Sequence, residues 1–212
     1  TNGEPAVICV SGPDDLVEVF NASSVLGQFG LDFPPSADDR DLPVDIETCY
    51  SLSPGESWVT MDTRVRNQSS SALPIFMVEV EAFQTAVGFG EPLITAACPV
   101  DTYVTCNDGQ CDQCNYVAFS GDGGAAGVSY GLIHEVPGSS SISTVGVTAI
   151  FLGLSIDQIL QGVPDPNYEV PASGELALRR YFAIGDGNAS SISDIRNQIF
   201  GFVTGELSGT VS

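Results

Sequence analysis

Three stretches of this chain alternate, residue by residue, between side chains suited to a core and side chains suited to water. That two-residue rhythm restricts the fold more than any other feature. Val44, Ile46, Thr48 and Tyr50 alternate with Asp45, Glu47, Cys49 and Ser51. Val59, Met61, Thr63 and Val65 alternate with Trp58, Thr60, Asp62, Arg64 and Arg66. Leu176, Leu178, Arg180, Phe182 and Ile184 alternate with Ala177, Arg179, Tyr181 and Ala183. Successive side chains of a strand point to opposite faces, so each run predicts a strand with one buried face. Less regular runs at 6–10, 16–20, 75–83, 93–97, 116–119, 128–134, 145–152 and 206–211 bring the expected total to about eleven strands.

Turn chemistry separates these runs, as in Ser11-Gly12-Pro13-Asp14, Ser53-Pro54-Gly55-Glu56 and Gly185-Asp186-Gly187-Asn188. Strands buried on one face need a second layer, so the expected fold is all-β, a large antiparallel β-sandwich. One or two short accessory helices are expected beside it. The first begins at Ser155, where Ser155 and Gln158 offer a capping box. The second runs through Ile192, Ile195 and Ile199, capped by Ser190 or Ser191 and ended by Gly201. No linker divides the chain, which predicts a single domain over 1–212, with a Cys-rich loop at 98–114. The strand-like tail at 206–212 is expected to lead into a following domain.

Composition narrows the function. A hydrophobic share of 43% against 16% charged residues supports a real core. The apolar runs are far shorter than the roughly 20 residues of a spanning helix, so no membrane span is expected. Against 27 acidic residues stand six Arg and no Lys, for a formal charge of −21. Nucleic-acid binding depends on Lys and Arg displacing counterions, and such a chain repels phosphate backbones. The acidic coat fits a solvated surface or cation binding.

Cysteines point to a compartment. Cys9, Cys49, Cys98, Cys106, Cys111 and Cys114 form an even set, four of them in one polar loop. That pattern reads as a disulfide framework made in an oxidising compartment, hence an extracellular or cell-surface location. Cys9 and Cys49 lie in separate predicted strands and can bridge them, while the four loop cysteines allow three pairings. Structural zinc would want two Cys-x-x-Cys pairs, and only Cys111 and Cys114 have that spacing. Cys106, Cys111 and Cys114 match three ligands of a plant-type iron–sulfur loop, but no Cys follows Cys114 to complete it. A redox role for Cys111 and Cys114 would want a helix N-terminus, and the segment has no helical period.

The candidate sites are sparse. His134 is the sole imidazole, and a surface or hydrogen-bonded strand-end role is a simpler reading than a catalytic or metal role, since no second His completes a ligand set. Ser129 sits in Gly127-Val-Ser-Tyr-Gly131, but a nucleophile elbow needs a helix next, and Leu132-Ile133-His134 follows. Oxygen-rich turns carrying Asp108, Asp122, Asp186 and Asn188 are candidate calcium ligands; none reproduces an EF-hand loop, and plain turns explain them as well. Trp58, Tyr50 and His134 are the ligand-binding candidates. Trp58 lies among the polar side chains of its strand, which hints at a sugar-stacking surface, against core or rim packing. Asn21, Asn67 and Asn188 each begin an Asn-x-Ser sequon.

Two segments resemble the β-supersandwich of galactose mutarotase-like domains in secreted bacterial carbohydrate-related and surface proteins. They are Val44 to Ser69, a strand, a Pro-Gly turn and a strand ending in an Asn-x-Ser turn, and Val170 to Gly187, a long strand ending in a Gly-Asp-Gly turn. The resemblance implies a supersandwich-like fold in a carbohydrate-related context. Mutarotases of that fold use two His and a carboxylate as general acids and bases, whereas this chain has one His, so the activity does not carry over. The expected function is a non-catalytic extracellular structural or binding module of a larger secreted or surface protein, contacting neighbouring domains, glycan or structural calcium. The alternatives are a mutarotase- or lyase-like carbohydrate-active enzyme domain, and a self-assembling surface or filament subunit that associates through its strand-like ends.

Overall fold

The computed structural model describes residues 3–13, 42–75, 78–82, 84–85, 88–89, 91–92, 116–120, 127–135, 140–144, 147–151 and 168–202. The expected strands at 16–20, 93–97 and 206–211, the helix at Ser155 and the loop cysteines lie outside these residues. In chain order the elements are β1 (Ala6–Pro13), β2 (Val44–Leu52), β3 (Trp58–Asn67), β4 (Leu73–Ile75), β5 (Val78–Ala82), β6 (Gln84–Thr85), β7 (Gly88–Phe89) and β8 (Glu91–Pro92). They continue with β9 (Tyr116–Ser120), β10 (Ser129–His134), β11 (Ser140–Thr144), β12 (Val147–Phe151), β13 (Tyr168–Val170), β14 (Glu175–Gly185) and the helix α1 (Ala189–Phe200). The three alternating runs of the sequence are β2, β3 and β14. The run expected as one strand at 75–83 is divided between β4 and β5, and the run at 145–152 is a hairpin arm, β12, paired with β11.

The main sheet has seven strands in the order β1-β2-β3-β14-β10-β9-β8, and every adjacent pair is antiparallel. Register partners share a face, so the pairing sorts its side chains. Thr48 pairs with Thr63, Thr63 with Leu178, Phe182 with Leu132, and Leu132 with Val117. On that inner face Met61, Val117, Phe119, Leu132 and Leu178 form one buried cluster. Val44 and Val65 form another, with Ile75 of β4 and Val170 of β13 packed on them from the second layer. A three-stranded sheet, β11-β12-β5, completes the all-β sandwich.

The opposite face corrects one expectation. Tyr181 and Ala183 belong to the alternate set of β14 that was expected to face water, yet both are buried with Tyr116, Ala118 and Ile133 beneath Ile192 and Ile195 of α1. The cover is possible because two strand residues lack a Cβ where the helix lands. A Cβ at Gly131 would stand 2.4 Å from Cγ2 of Ile192, and one at Gly185 would stand 2.1 Å from Oγ of Ser191. The helix start also differs from expectation. Asn188, not Ser190 or Ser191, is the N-cap, its Oδ1 accepting the Ser191 backbone N–H at 2.9 Å. The Ser191 hydroxyl is engaged elsewhere, donating to the Asn188 carbonyl at 2.7 Å. Gly201 ends the helix as expected, in the left-handed conformation at φ 66°.

This seat generates a coupling that can be measured. Ile192→Ala removes a fully buried side chain and should cost about 2–5 kcal/mol. Gly131→Ala should cost about 1–3 kcal/mol by overpacking. Because the new methyl group meets Ile192, the double variant should be more stable than the sum of the single losses implies, read from urea unfolding midpoints. Strict additivity would show that the helix does not rest on Gly131.

Candidate functional site

A chain of polar groups crosses the sandwich interior. Thr48, Thr63, Arg180 and His134 come from four strands of the main sheet and share its inner face, and Glu79 of β5 meets them from the second layer. The two threonine hydroxyls lie 2.8 Å apart, and Arg180 Nη1 donates to Thr63 Oγ1 at 3.1 Å. Arg180 Nε stands 2.7 Å from Glu79 Oε1, an ion pair with both side chains largely buried. His134 Nε2 stands 3.7 Å from Glu79 Oε2, beyond hydrogen-bond reach.

The imidazole is therefore not the partner of that carboxylate. Contrary to the surface or hydrogen-bonded role expected for it, His134 is 2% exposed, and neither ring nitrogen has a hydrogen-bond partner among the described residues. Burial, followed by the positive charge of Arg180, pushes its pKa down to about 3. The ring is neutral at physiological pH, while Arg180 balances the charge of Glu79. The arrangement ties two layers together through one charge pair.

The uncovered part of the outer face holds a second polar array. Arg179 grips Asp62 with two hydrogen bonds, at 2.6 and 2.9 Å. Arg66 bridges Glu47 and Glu175, each at 3.1 Å. These carboxylates raise both guanidinium pKa values, chiefly through hydrogen bonds from Arg179 to Asp62 and from Arg66 to Glu175. Tyr181 donates its hydroxyl to Glu135, and burial first, then that bond, pushes its pKa up to about 12. A shallow hollow of about 260 Å³ lies over Asp62, Arg64, Glu135 and Arg179. Solvent screens exposed pairs of this kind, so the array organises the surface more than it stabilises the fold.

The sequence candidates do not converge. Cys9 and Cys49 are disulfide-bonded across directly paired positions of β1 and β2, with Cα atoms 4.0 Å apart. Trp58 packs on the cluster beneath α1, on the face opposite Tyr50 and His134. Tyr50 is 37% exposed. Asp186 accepts a hydrogen bond from Asn188 Nδ2 at 2.8 Å, and Asn188 is the helix cap, so both serve the turn into α1. Asp108, Asp122, Cys98, Cys106, Cys111 and Cys114 lie outside the described residues, among which no group of three His, Cys, Asp or Glu could hold a metal ion. Ser129 and His134 are five residues apart on β10 and point to opposite faces, so they form no nucleophile–base pair. Ser129 instead meets Ser191 at 3.0 Å.

Asn67 has a role its sequon did not suggest. It is buried at the end of β3, its Nδ2 donating to the carbonyls of Ser71, Val170 and Pro171 at 2.8, 3.2 and 3.1 Å. Its Oδ1 accepts from the backbone and hydroxyl of Ser69. The available signal was position: Asn67 continues the inward set Val59, Met61, Thr63 and Val65.

No protein-family model matches the chain, and neither does any curated protein. Among solved structures, it is similar to the α-galactosidase from Lactobacillus brevis at 10% identity and a TM-score of 0.44, over 94% of this chain and 26% of that one. It is similar to the GalM/aldose epimerase homologue from C. elegans at 7% identity and a TM-score of 0.31, over 87% of this chain and 66% of that one. The chain thus spans about a quarter of the first protein and just under two thirds of the second. The resemblance to mutarotase-like structures is weak, and no residue role comes from it.

Two outcomes follow from the interior groups. In the unfolded chain His134 titrates near 6.5, but in the fold only near 3, so folding excludes a proton between those values. Stability is complete above about pH 6.5 and should fall as the pH drops toward 3, more steeply than in His134→Gln; parallel unfolding curves would show a hydrated imidazole. Asn67→Asp should destabilise at least as much as Asn67→Ala, by about 1–3 kcal/mol, because a carboxylate cannot donate to three carbonyls. Chemical unfolding of both variants at pH 7 checks this.

Proposed function

We propose that this chain is a non-catalytic structural or binding module of a larger secreted or surface protein, folded in an oxidising compartment. The observation that carries this reading is the Cys9–Cys49 disulfide on β1, a strand whose residues are all exposed. Cytosolic thiols keep such accessible cysteines reduced, whereas secreted proteins retain them as bonds. The module reading is supported by how the charged groups are used. Arg180 is paired with Glu79, Arg179 with Asp62, and Arg66 with Glu47 and Glu175, all in contacts that join strands or layers. At its β1 margin the sheet leaves apolar side chains open: Val7, Ile8 and Val10 on β1, with Tyr50 and Leu52 beside them on β2. Contact with glycan belongs to the same proposal, with Tyr50 as an exposed aromatic on the sheet.

The test is chemical and enzymatic. Peptide mapping of the protein exported by its own source should find Cys9 joined to Cys49, and Cys9→Ser/Cys49→Ser should lose about 2–4 kcal/mol of stability. A free thiol at either position would remove the compartment reading. A glycan array followed by calorimetry should give binding without turnover or no response; chemical conversion of any sugar would overturn the non-catalytic reading.

A further inference from the structure

We infer that β1 is an acceptor edge for one extended segment of a different polypeptide, an uncharged apolar run of about seven residues with basic flanks. The inference rests on the module reading and names its partner. β1 stands at the end of the seven-strand order, pairing with β2 and with no other described strand. A terminal strand turns alternate N–H and C=O groups outward, a template for another strand. Natural edges are usually blunted by a Lys, a Pro, an inward charge, a bulge or a covering element. Here Ala6 to Gly12 contains no charged residue, and the register with β2 advances one for one from Ala6–Leu52 to Pro13–Asp45, without a bulge. Val7, Ile8 and Val10 are 63, 66 and 61% exposed, on both faces of the strand.

Two features set the length and rigidity of this edge. Pro5 and Pro13 bracket it, and neither can donate a backbone hydrogen bond, which leaves residues 6–12 as the pairing stretch. The Cys9–Cys49 bond lies at its centre and holds β1 on β2 before any partner arrives, lowering the ordering cost of binding.

Charge selects the occupant. Glu4 precedes the strand, Asp14 and Asp15 follow it, and the whole chain carries −21 with no Lys. Two copies paired through β1, parallel or antiparallel, would set acidic ends against acidic ends. A segment flanked by Arg or Lys meets attraction at both ends and hydrophobic, main-chain complementarity between them.

The experiment uses the full oxidised chain and fluorescent synthetic peptides with an alternating Val/Thr core of seven residues, read by anisotropy. Peptides with two Arg at each end should bind at least tenfold more tightly than peptides with two Glu at each end, and raising the salt from about 0.05 to 0.5 M should weaken them. Val7→Lys/Val10→Lys, at exposed positions, should keep the unfolding midpoint and the disulfide while losing tenfold or more in affinity. Equal binding of the two peptides, or no binding up to millimolar concentration, would overturn the inference. So would a dimer in sedimentation analysis that strengthens with salt and dissociates in the Lys variant. None of these results bears on the Cys9–Cys49 bond or on sugar conversion, so the module reading stands or falls separately.

Discussion

β14 lies at the centre of the main sheet, with its inner face in the sandwich core and the C-terminal part of its outer face under α1, and the placement of the layers around it follows from that. It hydrogen-bonds to β3 on one side and β10 on the other, so it has no free edge. Its inner set, Leu178 with the half-buried Leu176 and Phe182, belongs to the sandwich core. Its outer set changes character midway: Ala177 and Arg179 are exposed, while Tyr181 and Ala183 are buried beneath α1. The change from charged to apolar decides where the helix lies, and the missing Cβ atoms of Gly131 and Gly185 decide how close it comes. The outer face is therefore divided into a dry half under Ile192 and Ile195 and a wet half of paired charges around Asp62 and Arg179.

This division explains what was legible in the sequence. Period-two alternation is local, so β2, β3 and β14 could be read directly, together with the all-β sandwich and the strand pair joined by Cys9 and Cys49. Which outer residues lie under a helix is not local. Trp58 looked exposed because its neighbours on that face, Asp62 and Arg64, are charged; the chain returns much later, in α1, to cover it, with Ile199 and Phe200 packed nearby. The Asn188 cap was hidden for a similar reason. Ser190 and Ser191 have equal chemical claim to capping, and only the position of the helix on β10 assigns Ser191 to Ser129 and the cap to Asn188. Arg180 could be placed on the inner face by alternation, but its partner Glu79 comes from another layer.

That inner pair has a cost and a use. Taking a guanidinium and a carboxylate out of water is expensive, and replacing such a pair by apolar residues is often neutral or favourable. A hydrophobic contact would, however, tolerate sliding of one layer over the other. Glu79 against Arg180 tolerates little, because a shift leaves two buried charges uncompensated. His134, opposite Arg180 in the β10–β14 register, is consistent with this logic: a neutral ring fills the space beside the pair without adding a third charge. Asn67 does the same work at the far end of the sheet, where its carboxamide ties β3 to the turns after β3 and β13.

The same sheet that is well covered at its centre is bare at one margin. Val44, Met61 and Val65 are buried on the inner face, yet Tyr50 and Leu52, on that same face of β2, are exposed, as is Ile8 beside them. An uncharged strand at such a margin ordinarily invites edge-to-edge aggregation. Here the stretch from Ala6 to Gly12 carries no Lys, Pro or bulge of its own. Its protection comes from the rest of the molecule: copies carrying a charge of −21 repel one another at distances within the Debye length, about 8 Å at physiological salt, before their edges can meet. Electrostatic guarding of that kind is selective in a way a bulge is not. A bulge blocks every incoming strand, whereas an acidic surround blocks acidic ones and leaves the backbone of β1 available to a strand of opposite charge.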